Sequence, residues 1–258
     1  MKIDDLIKEI ETIAPIETQE EWDNSGYQIK LTDGEISRVL VSLEISEQVI
    51  DEAIIQKADL IVTHHPLIFR SITSLSINNV DEEHIIKLIK NGISVYSTHT
   101  PFDKCKNGNN AYIGSIIGVK NIKKMETDQT GFCMYGDFES EKTINEIIEI
   151  AGKVLKTDKH FFSYSGKHDA VIKKVGWCTG AGGDFADAAK ASECDLFITG
   201  DVKYHTARHC EDIGLNVLDC GHFGTERIFV ENMSAILDKI SDLDIIQSRV
   251  DLNPFTKL

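Results

Sequence analysis

The chain has 258 residues, with 27 Lys plus Arg against 42 Asp plus Glu, a formal charge of -15. That balance argues against electrostatic attraction to DNA, RNA or an anionic membrane, and a phosphorylated substrate would need a local positive centre such as bound divalent cations. The length suffices for a sizeable core and is read as two small domains, while the six cysteines, at 105, 133, 178, 194, 210 and 220, form no C-x-x-C pair, which excludes a zinc ribbon and a disulfide framework.

The N-terminal MKIDDLIKEI is charged from its second residue and lacks the apolar core of a signal peptide. No run approaches membrane-spanning length, so a cytoplasmic protein with reduced thiols is expected. Ile3, Leu6, Ile7, Ile10 and Ile13 recur at helical spacing and predict an amphipathic helix over 3–13. In EEWDNSGYQI, 20–29, Asn24-Ser25-Gly26 signals a turn and Trp22 is an apolar anchor beside it. Asp23 and Asn24 either orient a site or make an Asx turn.

A strand over 39–45 leads to Ser46, the N-cap of a helix carrying Val49, Ile50, Ala53 and Ile54. The buried strand 58–62 follows and ends at Thr63, His64, His65 and Pro66. The order is a right-handed βαβ unit, and ligands in open α/β sheets collect at such strand ends. Neighbouring side chains leaving a strand diverge, so the two imidazoles suit two ions side by side better than one tetrahedral site, with Pro66 keeping His65 extended. The polar loop after Phe69, about fifteen residues long, exceeds most loops of compact domains and is a candidate site wall. A helix around 82–91 stops at Gly92. The next strand, in GISVYSTHTPFD, ends at Thr98, His99, Thr100 and Asp103, so imidazoles and a carboxylate converge on one side of the sheet. His99 reads equally as a ligand and as a residue that orients ligands; Asp103 reads as a ligand.

From about 125 a second α/β layer is expected, with strands at 131–138, 159–164 and 170–178 and a helix over 143–154. The glycines of VGWCTGAGGDFADAAKA do not make a dinucleotide fingerprint, because Phe185 stands where the third glycine belongs. Such a turn cradles an anion or lets backbone pack tightly. A strand over 195–201 precedes a helix with Lys203, Tyr204, His205 and His209. LNVLDCGHFGTER, 215–227, then repeats the strand, glycine, histidine order, with Gly224-Thr225 read as the cap of a long final helix. Glu226 thus follows His222 by four residues and either projects with it to one side of the turn or complements the helix dipole. DIIQSRV is read as a closing edge strand. No Walker motif and no nucleophile elbow is present. The chemistry-bearing constellation is His64, His65, Asp103, His222 and Glu226, with His99 and His205 near it.

EEWDNSGYQI, ADLIVTHHPLIF, STHTPFD, TGDVKYH and DCGHFGTER resemble, in the same order and over almost the whole chain, the motifs of the NIF-three-like family, also known as GTP cyclohydrolase I type 2 homologues. The resemblance implies an α/β fold of two α/β/α layered domains with mostly parallel sheets and a metal site at strand C-terminal ends. The change of character near 125 is read as dividing the chain into a metal-binding domain of 1–124 with 222–258 and a second domain of 125–221. The resemblance further implies a toroidal homohexamer and two divalent ions per subunit, held by His64, His65, Asp103, His222 and Glu226; these hard-to-borderline ligands permit zinc, iron, manganese or nickel, and His99 and His205 are read as catalytic residues that move protons. The mid-chain domain of some relatives does not fit in this length. Two departures stand out: Pro101 in T-P-F-D, and Glu44 where Asp is usual after the leucine. The implied activity is metal-dependent hydrolysis of a nucleotide or related small molecule; the alternative is a non-catalytic metal-binding or partner-binding regulatory protein.

Overall fold

In the computed structural model, which describes residues 1–256, the apolar runs near positions 40, 61 and 95 become adjacent parallel strands. Numbered in chain order, the strands are β1 (Gly26–Ile29), β2 (Arg38–Ser42), β3 (Leu60–Thr63), β4 (Ser94–Ser97), β5 (Lys120–Lys124), β6 (Met134–Thr143), β7 (Ser163–Ser165), β8 (Val171–Trp177), β9 (Leu196–Thr199), β10 (Asn216–Asp219) and β11 (Asp244–Gln247). They form one sheet ordered β1-β4-β3-β2-β11 and another ordered β5-β6-β8-β9-β10-β7. The first is parallel except at β1. The second is mixed: β8, β9 and β10 are parallel, while β6 runs antiparallel to both its neighbours and β7 antiparallel to β10.

Each sheet belongs to its own compact unit. The first unit is Met1–Lys106 with Phe229–Leu252; the second is Asn107–Ile228 with the chain's end from Asn253. The joints therefore lie at 106/107 and 228/229, not at the 124/125 and 221/222 expected from sequence. Pairing explains the first shift, because β5 hydrogen-bonds to β6 and the helix Asn109–Ile116 contacts both. The second follows from Thr225, whose Oγ1 accepts the Gly180 N–H at 2.9 Å and ties 222–228 to the second sheet. His222 and Glu226 thus fall in the second unit, and His64, His65 and Asp103 in the first.

In the first unit β3 and β4 are buried at every residue, as expected of strands covered on both faces. Val49, Ile50 and Ala53 of helix Glu47–Gln56 and Ile85 and Leu88 of helix Val80–Lys90 pack with Leu40, Ile61 and Val95. Ser46 caps the first helix by accepting the Val49 N–H, and Asn79 caps the second through the amides of Asp81 and Glu82. Asn79 starts that helix two residues before the expected position. Gly26, read as the last residue of a turn at 24–26, instead opens β1, where Gly26 and Tyr27 pair with Ser97 and Tyr96.

The second unit is built around Trp177, which is fully buried and donates its indole N–H to the Asn110 carbonyl at 2.7 Å. Gly114 makes room for it; a Cβ there would stand 2.2 Å from the indole. Thr143 and Glu146 form a reciprocal capping box at the head of helix Ile144–Val154. At 159–164, Asp158 accepts the His160 N–H and turns Lys159–Phe161 into a 3-10 helix, leaving only β7 as strand. The final helix does not start at Gly224-Thr225. A short helix, His222–Glu226, precedes Ile228–Ile240, and the Thr225 hydroxyl donates back to the Gly221 carbonyl instead of accepting as a cap would. All six cysteines are buried free thiols. No described helix is long and apolar enough to cross a membrane.

The turn joining β5 to β6 hangs on Asp128, whose carboxylate accepts the amides of Thr130 and Cys133 and the Thr130 hydroxyl. Burial alone would raise its pKa, but these hydrogen bonds outweigh it and hold the carboxyl below its usual value. A depressed folded pKa stabilises above the unfolded value near 3.9 and is lost as pH falls through the folded one. Asp128→Ala is expected to cost roughly 1–3 kcal/mol at neutral pH, with the gap to the wild type closing below about pH 4. Thermal melts across that range check this; a gap that persists in acid would contradict it.

Candidate functional site

Two carbonyls and two hydroxyls shape the double histidine. The amides of His64 and His65 both donate to the Leu43 carbonyl, at 3.1 and 2.9 Å, so the chain bends as β3 ends. The His65 carbonyl accepts from Thr63 Oγ1 (2.9 Å) and Ser97 Oγ (3.3 Å), which holds that bend. The rings consequently do not diverge as strand geometry would have them. Their centroids are 5.2 Å apart, and His99 stands across both at 5.1 and 5.6 Å. One nitrogen of each of His64, His65 and His99 lies within 4.8 Å of the others, a spacing on which a metal ion can be held.

His99 reaches this place because β3 and β4 end in register, Thr63 opposite Ser97, with the Thr98 N–H on the Thr63 carbonyl at 2.9 Å. It precedes the short helix Thr100–Lys104, which was not foreseen; Pro101 sits in its first turn, where a missing N–H costs nothing. The Asp103 amide bonds to the His99 carbonyl, and Asp103 Oδ2 comes to 3.4 Å from His64 Nε2. Asp103 is 7 % exposed and His64 not at all.

The second unit carries its own pair. His222 Nε2 lies 2.9 Å from Glu226 Oε2, across one helical turn as the spacing predicted. Burial would lower the His222 pKa, but Glu226 and Asp201, one on each ring nitrogen, hold it at about 9. A metal ion taking Nε2 would displace that proton. The glycine-rich segment serves this pair by packing, not as an anion cradle: a Cβ at Gly180, whose φ is +69°, would stand 2.2 Å from Glu226 Oε1. His205 is exposed at the start of helix Tyr204–Asp212, its ring against Tyr204.

The four imidazoles share one pattern. Nδ1 of His64 bonds the Thr98 carbonyl (3.0 Å), that of His65 the Glu44 carboxylate (3.0 Å), that of His99 Asp23 (2.9 Å) and that of His222 Asp201 (2.8 Å). Each therefore presents Nε2 as its working atom, the arrangement in which a supporting acceptor fixes tautomer and orientation for a metal ligand. In each unit the donors, imidazole nitrogens beside a buried carboxylate (Asp103 in the first, Glu226 in the second), are of the kind that suits a borderline divalent cation. Sequence reasoning missed Thr98 and Asp201 as partners. Glu44 was visible only as a departure, yet it keeps a carboxylate for His65. Phe69, from which the long loop departs, reaches the site through Trp22.

The family model described as Duf34/NIF3 (NGG1p interacting factor 3) matches residues 1–254. A Clostridium perfringens protein named GTP cyclohydrolase 1 type 2 homolog is 35% identical over 261 residues, covering 99% of each chain. The Saccharomyces cerevisiae protein NGG1-interacting factor 3 is 27% identical, covering 99% of this chain and 96% of its own. The crystal structure of a Bacillus cereus protein related to NIF3 superposes with a TM-score of 0.93 at 21% identity, covering 100% of this chain and 99% of its own, and so shares the fold.

Gly180→Ala is expected to drive Glu226 out of place and cost roughly 1–3 kcal/mol by overpacking in addition to the backbone strain. Gly214, φ +67°, has only the Lys190 ammonium within 4 Å of its would-be Cβ. Gly214→Ala therefore isolates the strain, about 1–2 kcal/mol. Denaturation of the two variants side by side checks the difference; equal losses would show that the Glu226 contact carries none of it.

Proposed function

The chain belongs to the Duf34/NIF3 (NGG1p interacting factor 3) family, and we propose that it is a metal-dependent hydrolase of a nucleotide or related small molecule. The observation that carries this reading is the shared tethering of Nδ1 in His64, His65, His99 and His222. Holding four rings in one orientation costs side-chain freedom that a purely structural role does not need. In the proposal His64, His65, Asp103, His222 and Glu226 are the ligands of two divalent ions, a set that rests on the family resemblance. When bound, the ions supply Lewis-acid activation of water and of the substrate's electrophilic centre. His99 accepts the proton of the attacking water at Nε2. The water oxygen bonds to carbon or phosphorus, the bond to the leaving nitrogen or oxygen breaks, and His99 returns its proton to that leaving atom. His205, out on its helix, is the weaker candidate for this task.

Two supports come from relatives' names. The Clostridium perfringens name, GTP cyclohydrolase 1 type 2 homolog, points to purine ring opening, which needs activated water and a general acid. The yeast name, NGG1-interacting factor 3, favours the second reading, a protein that binds a partner without turnover.

Elemental analysis of protein prepared without chelators is expected to give two divalent ions per chain, falling towards zero in a His65→Ala, Glu226→Ala double variant. Occupancy near zero in the wild type would remove the proposal. Turnover of a panel of nucleotides, phosphoesters and cyclic amides should follow metal content and fall by roughly 100-fold or more in His99→Ala. Full occupancy with no turnover would favour the partner-binding reading. The family resemblance also implies a closed homohexamer; light scattering is expected to give about six times the 28.8 kDa chain mass, and a monomer at all concentrations would exclude it.

A further inference from the structure

Asp23 lies between Trp22 and Asn24 in a segment whose sequence leaves a site-orienting role and an Asx turn both open, and its side chain is 0 % exposed. Burying a carboxylate is costly unless its lone pairs are filled, and here they are filled. Oδ1 accepts from His99 Nδ1 at 2.9 Å and from the Asn24 amide at 2.7 Å. Oδ2 accepts from Ser25 Oγ at 2.9 Å, the Thr100 amide at 3.1 Å and Thr100 Oγ1. The His99 amide in turn donates to Ser25 Oγ at 3.0 Å. Backbone and ring of His99 are thus both anchored to one short stretch, 23–25. Trp22 sets its ring edgewise to His99 at 5.7 Å and leans on Phe69 at 6.2 Å.

An Asx turn by itself does not need this. The Asn24 and Ser25 contacts would order the loop locally, and the two Thr100 contacts would serve the head of the short helix. The bond to the imidazole serves neither, and it decides which nitrogen of His99 faces His64 and His65.

We propose that Asp23 is a positioning residue of the site: it fixes His99 in the tautomer with hydrogen on Nδ1 and aims Nε2 at the His64 and His65 rings. The inference deepens the proposed function, because it makes His99 a proton acceptor at a defined atom. Ser25 and Thr100 orient Asp23, and Trp22 covers the flank of the ring. Supporting partners of this kind are worth about 10- to 100-fold in activity elsewhere, and a loss of that size is expected in Asp23→Ala for any substrate the protein turns over.

The decisive readout is the tautomer itself. Two-bond proton–nitrogen correlation on metal-free, 15N-histidine-labelled protein, at a pH where imidazole is neutral and with His99 assigned from a His99→Gln variant, reports which nitrogen carries hydrogen. Nδ1–H is expected in the wild type and in Thr100→Val, which removes a donor to Asp23 but leaves the Asp23–His99 bond. Loss of that form is expected in Asp23→Ala. A wild-type His99 with hydrogen on Nε2 overturns the inference, even if Asp23→Ala fails to fold; so does an Asp23→Ala protein that keeps Nδ1–H. Cobalt(II) titration of the wild type separates the two readings. No uptake removes the metal centre and leaves the tautomer result standing, whereas uptake together with Nε2–H removes the role of Asp23 and leaves the centre standing.

Discussion

The register of two parallel strands decides what chemistry the first unit can present. Thr63 faces Ser97 across the β3–β4 ladder, and the next amide along β4, that of Thr98, closes on the Thr63 carbonyl. The ladder runs out at the same level on both strands. Immediately beyond it stand His64 and His65 on one side and His99 on the other. A slip of one residue would invert the faces of every side chain on a strand, and Thr98 would then no longer offer its carbonyl to His64 Nδ1. Four-residue strands with no exposed position leave little freedom for such a slip, because each alternative register would carry buried apolar side chains into the wrong layer.

Once the strands are fixed, the rings are placed by acceptors drawn from four different local structures. A backbone carbonyl holds His64, a residue just past β2 holds His65, a turn before β1 holds His99 and the loop after β9 holds His222. The carbonyl is neutral and the other three acceptors are acidic. Part of the -15 charge is therefore more than a solvated surface: Asp23, Asp103 and Glu226 are buried, and Glu44 and Asp201 face imidazoles. Such a surplus opposes an incoming polyphosphate and favours a cation, so a charged substrate would depend on the cations for its approach.

Where apolar period and strand-end chemistry agreed, the sequence was readable. Helix Ile3–Ile13, the βαβ order and the placing of His64-His65 and His99 at neighbouring strand ends follow from spacing alone. The α/β class and the family membership also stand. What spacing could not reach depended on partners far along the chain. Helix Asn109–Ile116 is organised by Trp177, nearly seventy residues later. The glycines at 180–183 were ambiguous until Glu226 appeared against Gly180. The bend at His64-His65 is set by a carbonyl at Leu43 that no local rule selects. The joint expected at 124/125 moved for the same reason: the lysine-rich stretch 120–124 is an edge strand paired with β6.

The first unit is discontinuous in the chain, and its last strand, β11, completes the sheet by pairing with the outer edge of β2. During synthesis at 5–20 residues per second, the strand β2 leaves the ribosome roughly ten to forty seconds before β11 does. Throughout that interval the β2 edge carries unpaired backbone groups, the kind of surface on which a foreign strand can add. Arg38 at the first position of β2, later the ion-pair partner of Asp244, is a charged side chain on that edge while it waits. The protein's vulnerability to misassembly is thus concentrated in the interval before β11 emerges.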